Sequence, residues 1–118
     1  MITAAVITPV PEHQQQAALR HLVVGRETAA LKALCAESDL PLAHAPAALA
    51  ALARHNLPVT AEDAAAVLAD QEPTLREALR SLLGAGRRRE ALLLLRNATG
   101  VGVLTARRIA AELAPAPC

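Results

Sequence analysis

The sequence contains no Phe, Trp or Tyr and a single Met. Without aromatic rings it cannot stack single-stranded bases in the usual way. An aromatic substrate cage and an aromatic interface anchor are excluded too. Cysteine is scarce: Cys35 and Cys118 are too few for a disulfide framework. Reduced thiols in a cytoplasmic setting are the expectation. No uncharged run approaches the ~20 apolar residues needed to cross a bilayer, so no membrane partner is expected. The first ten residues, MITAAVITPV, carry no basic leader and are not read as a signal peptide.

What the chain does have is alanine and leucine, 29 and 20 of its 118 residues. Its length fits one domain or two very small ones. At 53% hydrophobic and 19% charged it is too apolar to stay disordered. A core limited to Leu, Val, Ile and Ala favours close-packed helices with Ala at the contacts, because strands draw on β-branched and aromatic residues. An all-α fold of six or seven short helices follows.

Turn and cap signals place the helices at about 11–24, 27–37, 42–55, 61–70, 73–83, 87–98 and 103–114. Gly25 ends the first, Ser38-Asp39 the second and Gly84 the fifth. Pro46 is tolerable only near a first turn. Thr60 with Asp63 forms a variant capping box, and Pro73 opens a helix. Leu75, Leu79, Leu82 and Leu83 share a face, as do Val103, Ala106, Ala110 and Leu113.

The two halves read as one three-helix unit written twice, a degenerate tandem repeat packed with approximate two-fold symmetry. Ala18-Leu19-Arg20 matches Ala78-Leu79-Arg80. After one inserted residue Gly25-Arg26 matches Gly86-Arg87, and the register then holds. Ala30/Ala91, Leu31/Leu92, Leu34/Leu95, Ala45/Ala106, Ala50/Ala111 and Leu52/Leu113 are identical, and Ser38/Thr99, Leu40/Val101 and Leu42/Val103 are conservative. The expected organisation is a tail at 1–10, copy one at 11–55, a connecting helix at 56–71, copy two at 72–114 and a tail at 115–118.

The net charge of +1 hides an asymmetry: residues 1–83 carry −3 and residues 84–118 carry +4. The basic end is all arginine: Arg87, Arg88, Arg89, Arg96, Arg107 and Arg108. Arginine suits carboxylate and phosphate forks, although an exposed, solvated face is the plain alternative. In register, copy one has Glu27, Thr28, Cys35, Pro46 and Ala47 opposite Arg88, Arg89, Arg96, Arg107 and Arg108. Copy two is therefore the candidate working surface and copy one its structural partner.

Copy two also has Thr99-Gly100-Val101-Gly102 between its last helices, where copy one has Ser38-Asp39-Leu40-Pro41. Glycine admits a close approach, and the helix that follows offers unpaired N–H groups and partial positive charge. Such a turn can hold a phosphate or carboxylate, whereas Asp39 would repel an anion at the equivalent point. A tight corner in which glycine avoids a clash accounts for the same residues, and both readings stand at this point.

The segment 86–112, GRRREALLLLRNATGVGVLTARRIAAE, resembles the helical hairpin in the C-terminal domain of the bacterial ribosomal stalk protein. The match runs through Glu90-Ala91, Leu94-Leu95-Arg96, Ala98-Thr99-Gly100, Gly102-Val103 and Ala106-Arg107. The resemblance implies a basic, glycine-containing face that docks translational GTPases, lined here by Arg88, Arg96, Gly100, Gly102 and Arg107. This chain has Leu93 where that family has a basic residue, and no strands are expected around this hairpin, whereas that domain has three. The stretch 99–109 also looks like the helix–hairpin–helix motif of DNA-binding proteins. That resemblance implies amides of the turn on a duplex phosphate, without sequence readout.

The remaining polar residues form no catalytic pattern. His13, His21, His44 and His55 lack metal-ligand spacing, and no metal or cofactor is expected. Cys35 falls on the Leu31/Leu34 side and reads as a core thiol. Glu62-Asp63 reads as helix-start charge. The expected function is a non-catalytic interaction module using its Arg-rich hairpin on an acidic protein surface. The alternative is a small nucleic-acid-binding protein using the same residues on the phosphate backbone. Four consecutive leucines, Leu92 to Leu95, exceed one helix stripe, which points to a possible homodimer through that helix.

Overall fold

The computed structural model describes residues 3–36, 38–54 and 56–114. Helices occupy most of them: α1 (Ala4–Ile7), α2 (Glu12–Val23), α3 (Glu27–Cys35), α4 (Ala45–Ala53), α5 (Ala61–Gln71), α6 (Pro73–Gly84), α7 (Arg88–Thr99) and α8 (Val103–Leu113). A 3-10 turn, Leu42–His44, leads into α4. Among the described residues there is no strand, as expected from a sequence rich in Ala and Leu and empty of aromatics. The predicted helix ends at 37 and 55, His55, and the 115–118 tail with Cys118 lie outside the described residues.

The local signals act where the sequence places them. Thr60 Oγ1 accepts the Asp63 N–H at 3.1 Å, and Asp63 Oδ2 accepts the Thr60 N–H at 3.2 Å, closing the capping box at the start of α5. Pro46 and Pro73 sit in the first turns of α4 and α6, where a missing N–H costs nothing.

Alanine replaces the absent aromatics in the packing. Ala18, Ala30, Ala45, Ala48, Ala64, Ala91 and Ala106 are all buried, and their small side chains let helices approach closely. Two apolar clusters result. One joins Leu34, Leu40, Leu49 and Leu52 around α2–α4. The other joins Leu68, Leu79, Leu95, Ile109 and Leu113 around α5–α8. The molecule is correspondingly long, 49 × 25 × 23 Å.

Three expectations need correction. The 1–10 segment is not a tail over its described part. Helix α1 packs on α4 and α5, sending Ala4 and Ile7 into one cluster and Ala5 into the other. The helix expected to connect the copies, α5, instead lies along α8 and α6 and puts Ala64 and Leu68 into the second cluster. Val103, expected in the buried stripe of α8, is 48% exposed; that stripe begins at Ala106.

Corresponding helices of the two halves start at Glu12/Pro73, Glu27/Arg88 and, counting the 3-10 turn, Leu42/Val103, each pair 61 positions apart. These bounds call for no residue to be inserted after Ala18-Leu19-Arg20. Helices α2 and α6 also end 61 apart, at Val23 and Gly84, and buried Ala18 stands opposite buried Leu79. A three-residue identity in so Ala/Leu-rich a chain carries less than burial does. The turns correspond as well: the N–H groups of Arg26 and Arg87 donate at 2.8 Å to the carbonyls of His21 and Leu82. Ser38 Oγ donates to the Leu34 carbonyl at 2.5 Å and Thr99 Oγ1 to the Leu95 carbonyl at 2.6 Å.

Candidate interaction surface

The hairpin α7–α8 is held by one face of each helix. Ala91, Leu95 and Thr99 recur every fourth residue along α7 and are buried, against Ala106, Ile109, Ala110 and Leu113 of α8. Those spacings leave the opposite face of each helix outside. Arg88, Arg89, Arg96, Arg107 and Arg108 are all exposed. Arg87, also exposed, lies 3.7 Å from Glu90 in a solvent-facing ion pair, of a kind that contributes little to stability. Among the described residues none of the other five arginines meets a carboxylate. Arg88 lines a shallow cleft with Leu83, Ala110, Ala111 and Ala114.

The leucine run is largely absorbed within the chain. Leu95 is buried, and Leu92 and Leu94 pack against the core. Only Leu93 stands out, 51% exposed. With Val103 at 48% and Leu104 at 53% it leaves apolar side chains among the arginines.

The turn between the two helices is occupied from the other half. Gly100 ends α7 with φ +81°, a left-handed backbone that L side chains avoid. The first N–H groups of α8 have no partner within the helix, and Asp39 supplies one: its Oδ2 accepts the Thr105 N–H at 2.9 Å. A Cβ at Gly102 would collide with that carboxylate, and one at Gly100 would lie 3.0 Å from His44 Nε2. Gly100 and Gly102 thus leave room for Asp39 and His44. The place that an outside phosphate or carboxylate would take on the Thr105 N–H is filled by the chain's own carboxylate. Asp39, read from sequence as repelling an anion in copy one, is the anion at the turn of copy two. Its signal was its charge opposite a helix start, but nothing in the sequence shows that the two loops meet.

The contact is reciprocal. Position 39 meets position 105, and position 44 meets position 100, so each half offers the same loop positions to the other.

Cys35 is half-buried beside the first cluster, and burial pushes its thiol pKa up, which makes it a poor nucleophile. Among the described residues no group of three or more His, Cys, Asp or Glu side chains is placed to hold a metal ion. No helix among them is long and apolar enough to cross a membrane. No protein-family model matches the chain, and no curated protein or solved structure shows significant similarity to it. The likenesses to the ribosomal stalk hairpin and to the helix–hairpin–helix motif therefore rest on the quoted residues alone.

Proposed function

We propose that this chain is a non-catalytic interaction module whose α7–α8 hairpin binds an acidic surface of a protein partner. One observation carries the proposal: five exposed arginines without a carboxylate partner among the described residues, interleaved with exposed Leu93, Val103 and Leu104. Arginine matches carboxylates by paired hydrogen bonds, and the apolar side chains offer the dry contact that protein interfaces bury at their centre. A phosphate backbone has no use for those leucines. Asp39 on the Thr105 N–H, moreover, sets a negative charge where a helix–hairpin–helix would seat its phosphate. Both facts favour protein over nucleic acid. The proposed partner contact comprises Arg88, Arg89, Arg96, Arg107 and Arg108, without Gly100 and Gly102.

The test is a photo-crosslinking residue at position 93 of the full chain in cells, beside a control at Thr28, the position opposite Arg89. Adducts at 93 but not at 28, mapping to Asp/Glu-rich peptides, are the expected result. Adducts to nucleic acid at 93, or the same adducts at both positions, overturn the proposal. A duplex DNA titration at low and high salt is the companion measurement. Tight, salt-sensitive binding lost in an Arg88→Ala/Arg89→Ala variant would establish the nucleic-acid alternative instead.

A further inference from the structure

We infer that the docking surface is not the hairpin alone but a ridge built by both halves, and that its occupant is an acidic, amphipathic peptide segment of another protein. The inference rests on the hairpin proposal above and names what that hairpin takes.

The loop 39–44 and the turn 100–105 are clamped together by Asp39 on the Thr105 N–H and by His44 beside Gly100. Leu42 lies within the first segment, and Val103 and Leu104 within the second. All three are exposed: Leu42 at 77%, Leu104 at 53% and Val103 at 48%. Leu42 and Val103 are also the corresponding positions of the two halves. The reciprocal contact therefore joins two segments that each carry an exposed apolar side chain. A chain whose core draws only on Ala, Leu, Val and Ile has reason to bury its larger apolar side chains, and those left outside in two segments that meet mark a contact surface.

Charge selects the occupant. One turn beyond Val103 and Leu104 along α8 stand Arg107 and Arg108, exposed and without carboxylate partners among the described residues. The apolar ridge is thus bordered on one side by fixed positive charge. The Asp39 carboxylate is engaged by an amide, not by an arginine. A segment that places Leu, Ile or Val on the ridge and Asp or Glu over Arg107 and Arg108 satisfies both. A purely acidic segment leaves the leucines wet, and a purely apolar one leaves the guanidinium groups unmatched.

Selection of a random-peptide phage display library against the full chain tests this. Enriched peptides are expected to combine Asp/Glu with aliphatic residues. Synthesised, they should bind the Leu42→Ser and Leu104→Ser variants about tenfold more weakly than the parent, the loss typical of a central apolar contact. Thermal melts of the variants, with Leu42→Gln as a second change at that position, show whether the fold is intact. If the enriched peptides are acidic and Arg107→Ala weakens them, but Leu42→Ser and Leu104→Ser do not, the ridge is overturned and the hairpin proposal stands. If the peptides show no acidic bias, both fall.

Discussion

The hairpins α3–α4 and α7–α8 share a scaffold and differ in surface. Ala30, Leu34, Leu40 and Ala45 are buried in one, and Ala91, Leu95, Val101 and Ala106 in the other. The hydroxyls of Ser38 and Thr99 bond back to corresponding carbonyls. Outside the core the likeness stops. Glu27, Thr28, Cys35, Pro46 and Ala47 occupy the places of Arg88, Arg89, Arg96, Arg107 and Arg108, and Asp39 occupies the place of Gly100. Packing tolerates few residue types at a buried position, whereas an exposed position is constrained only by what it meets. In this molecule one hairpin meets the other through Asp39, and the second is left with its arginines facing outward.

The sharpest way to break the comparison is to empty each core in turn. Leu34→Ala and Leu95→Ala remove matched, fully buried side chains, and each is expected to cost ~2–5 kcal/mol. Because α1 feeds both clusters, both variants should show one lowered transition in a denaturant melt. Two separated transitions would mean the halves unfold independently.

The junction comes next. Gly100→Ala forces a side chain into left-handed backbone beside His44, at a cost of about 1–3 kcal/mol. The corresponding change in the other half, Asp39→Ala, removes the acceptor from the Thr105 N–H and should cost ~1 kcal/mol, the usual worth of a helix cap. Asp39→Asn keeps an oxygen acceptor and should recover most of that. Gly102→Ala displaces the same carboxylate. Its cost and that of Asp39→Ala should therefore fall short of additive in the double variant, because both lose one bond. Additive losses in chemical denaturation would show that the carboxylate does not link the halves.

The smallest effect concerns Cys35, the residue opposite Arg96. Its thiol pKa is raised by burial, so at pH 8 less of it is thiolate than of an ordinary cysteine, and the thiolate is the reactive form. In a Cys118→Ser background, alkylation should be slower than that of a free thiol and should reach the free rate on unfolding. A free rate in the native protein would place Cys35 outside the first cluster.

Helix positions, the capping box at Thr60 and Asp63, the alanine contacts and the arginine-bearing hairpin were all legible in the linear order of residues. Each depends on neighbours within a turn or two, and on apolar spacing that alternative folds would violate. The misread points share a cause. Four residues make no periodic pattern, so α1 reads as a tail, and its burial depends on α4 and α5. Chance identities abound in a two-letter composition, so Ala18-Leu19-Arg20 pairs with Ala78-Leu79-Arg80 by letters, whereas helix bounds and burial set Ala18 opposite Leu79. The Gly-x-Gly turn looked open because Asp39 lies 66 residues before Thr105, and sequence proximity says nothing of a carboxylate arriving from that distance.

Composition and periodicity by themselves determined that this chain forms helices, where they start and which end carries positive charge, since those follow from local backbone energetics and from counting. Only the tertiary structure decided that the two loops meet, that the turn's amide is satisfied from within, and that Leu42, Val103 and Leu104 are left exposed in the segments that meet. Such facts arise when distant segments are brought together to bury alanine and leucine, and the contacts formed there depend on both halves at once.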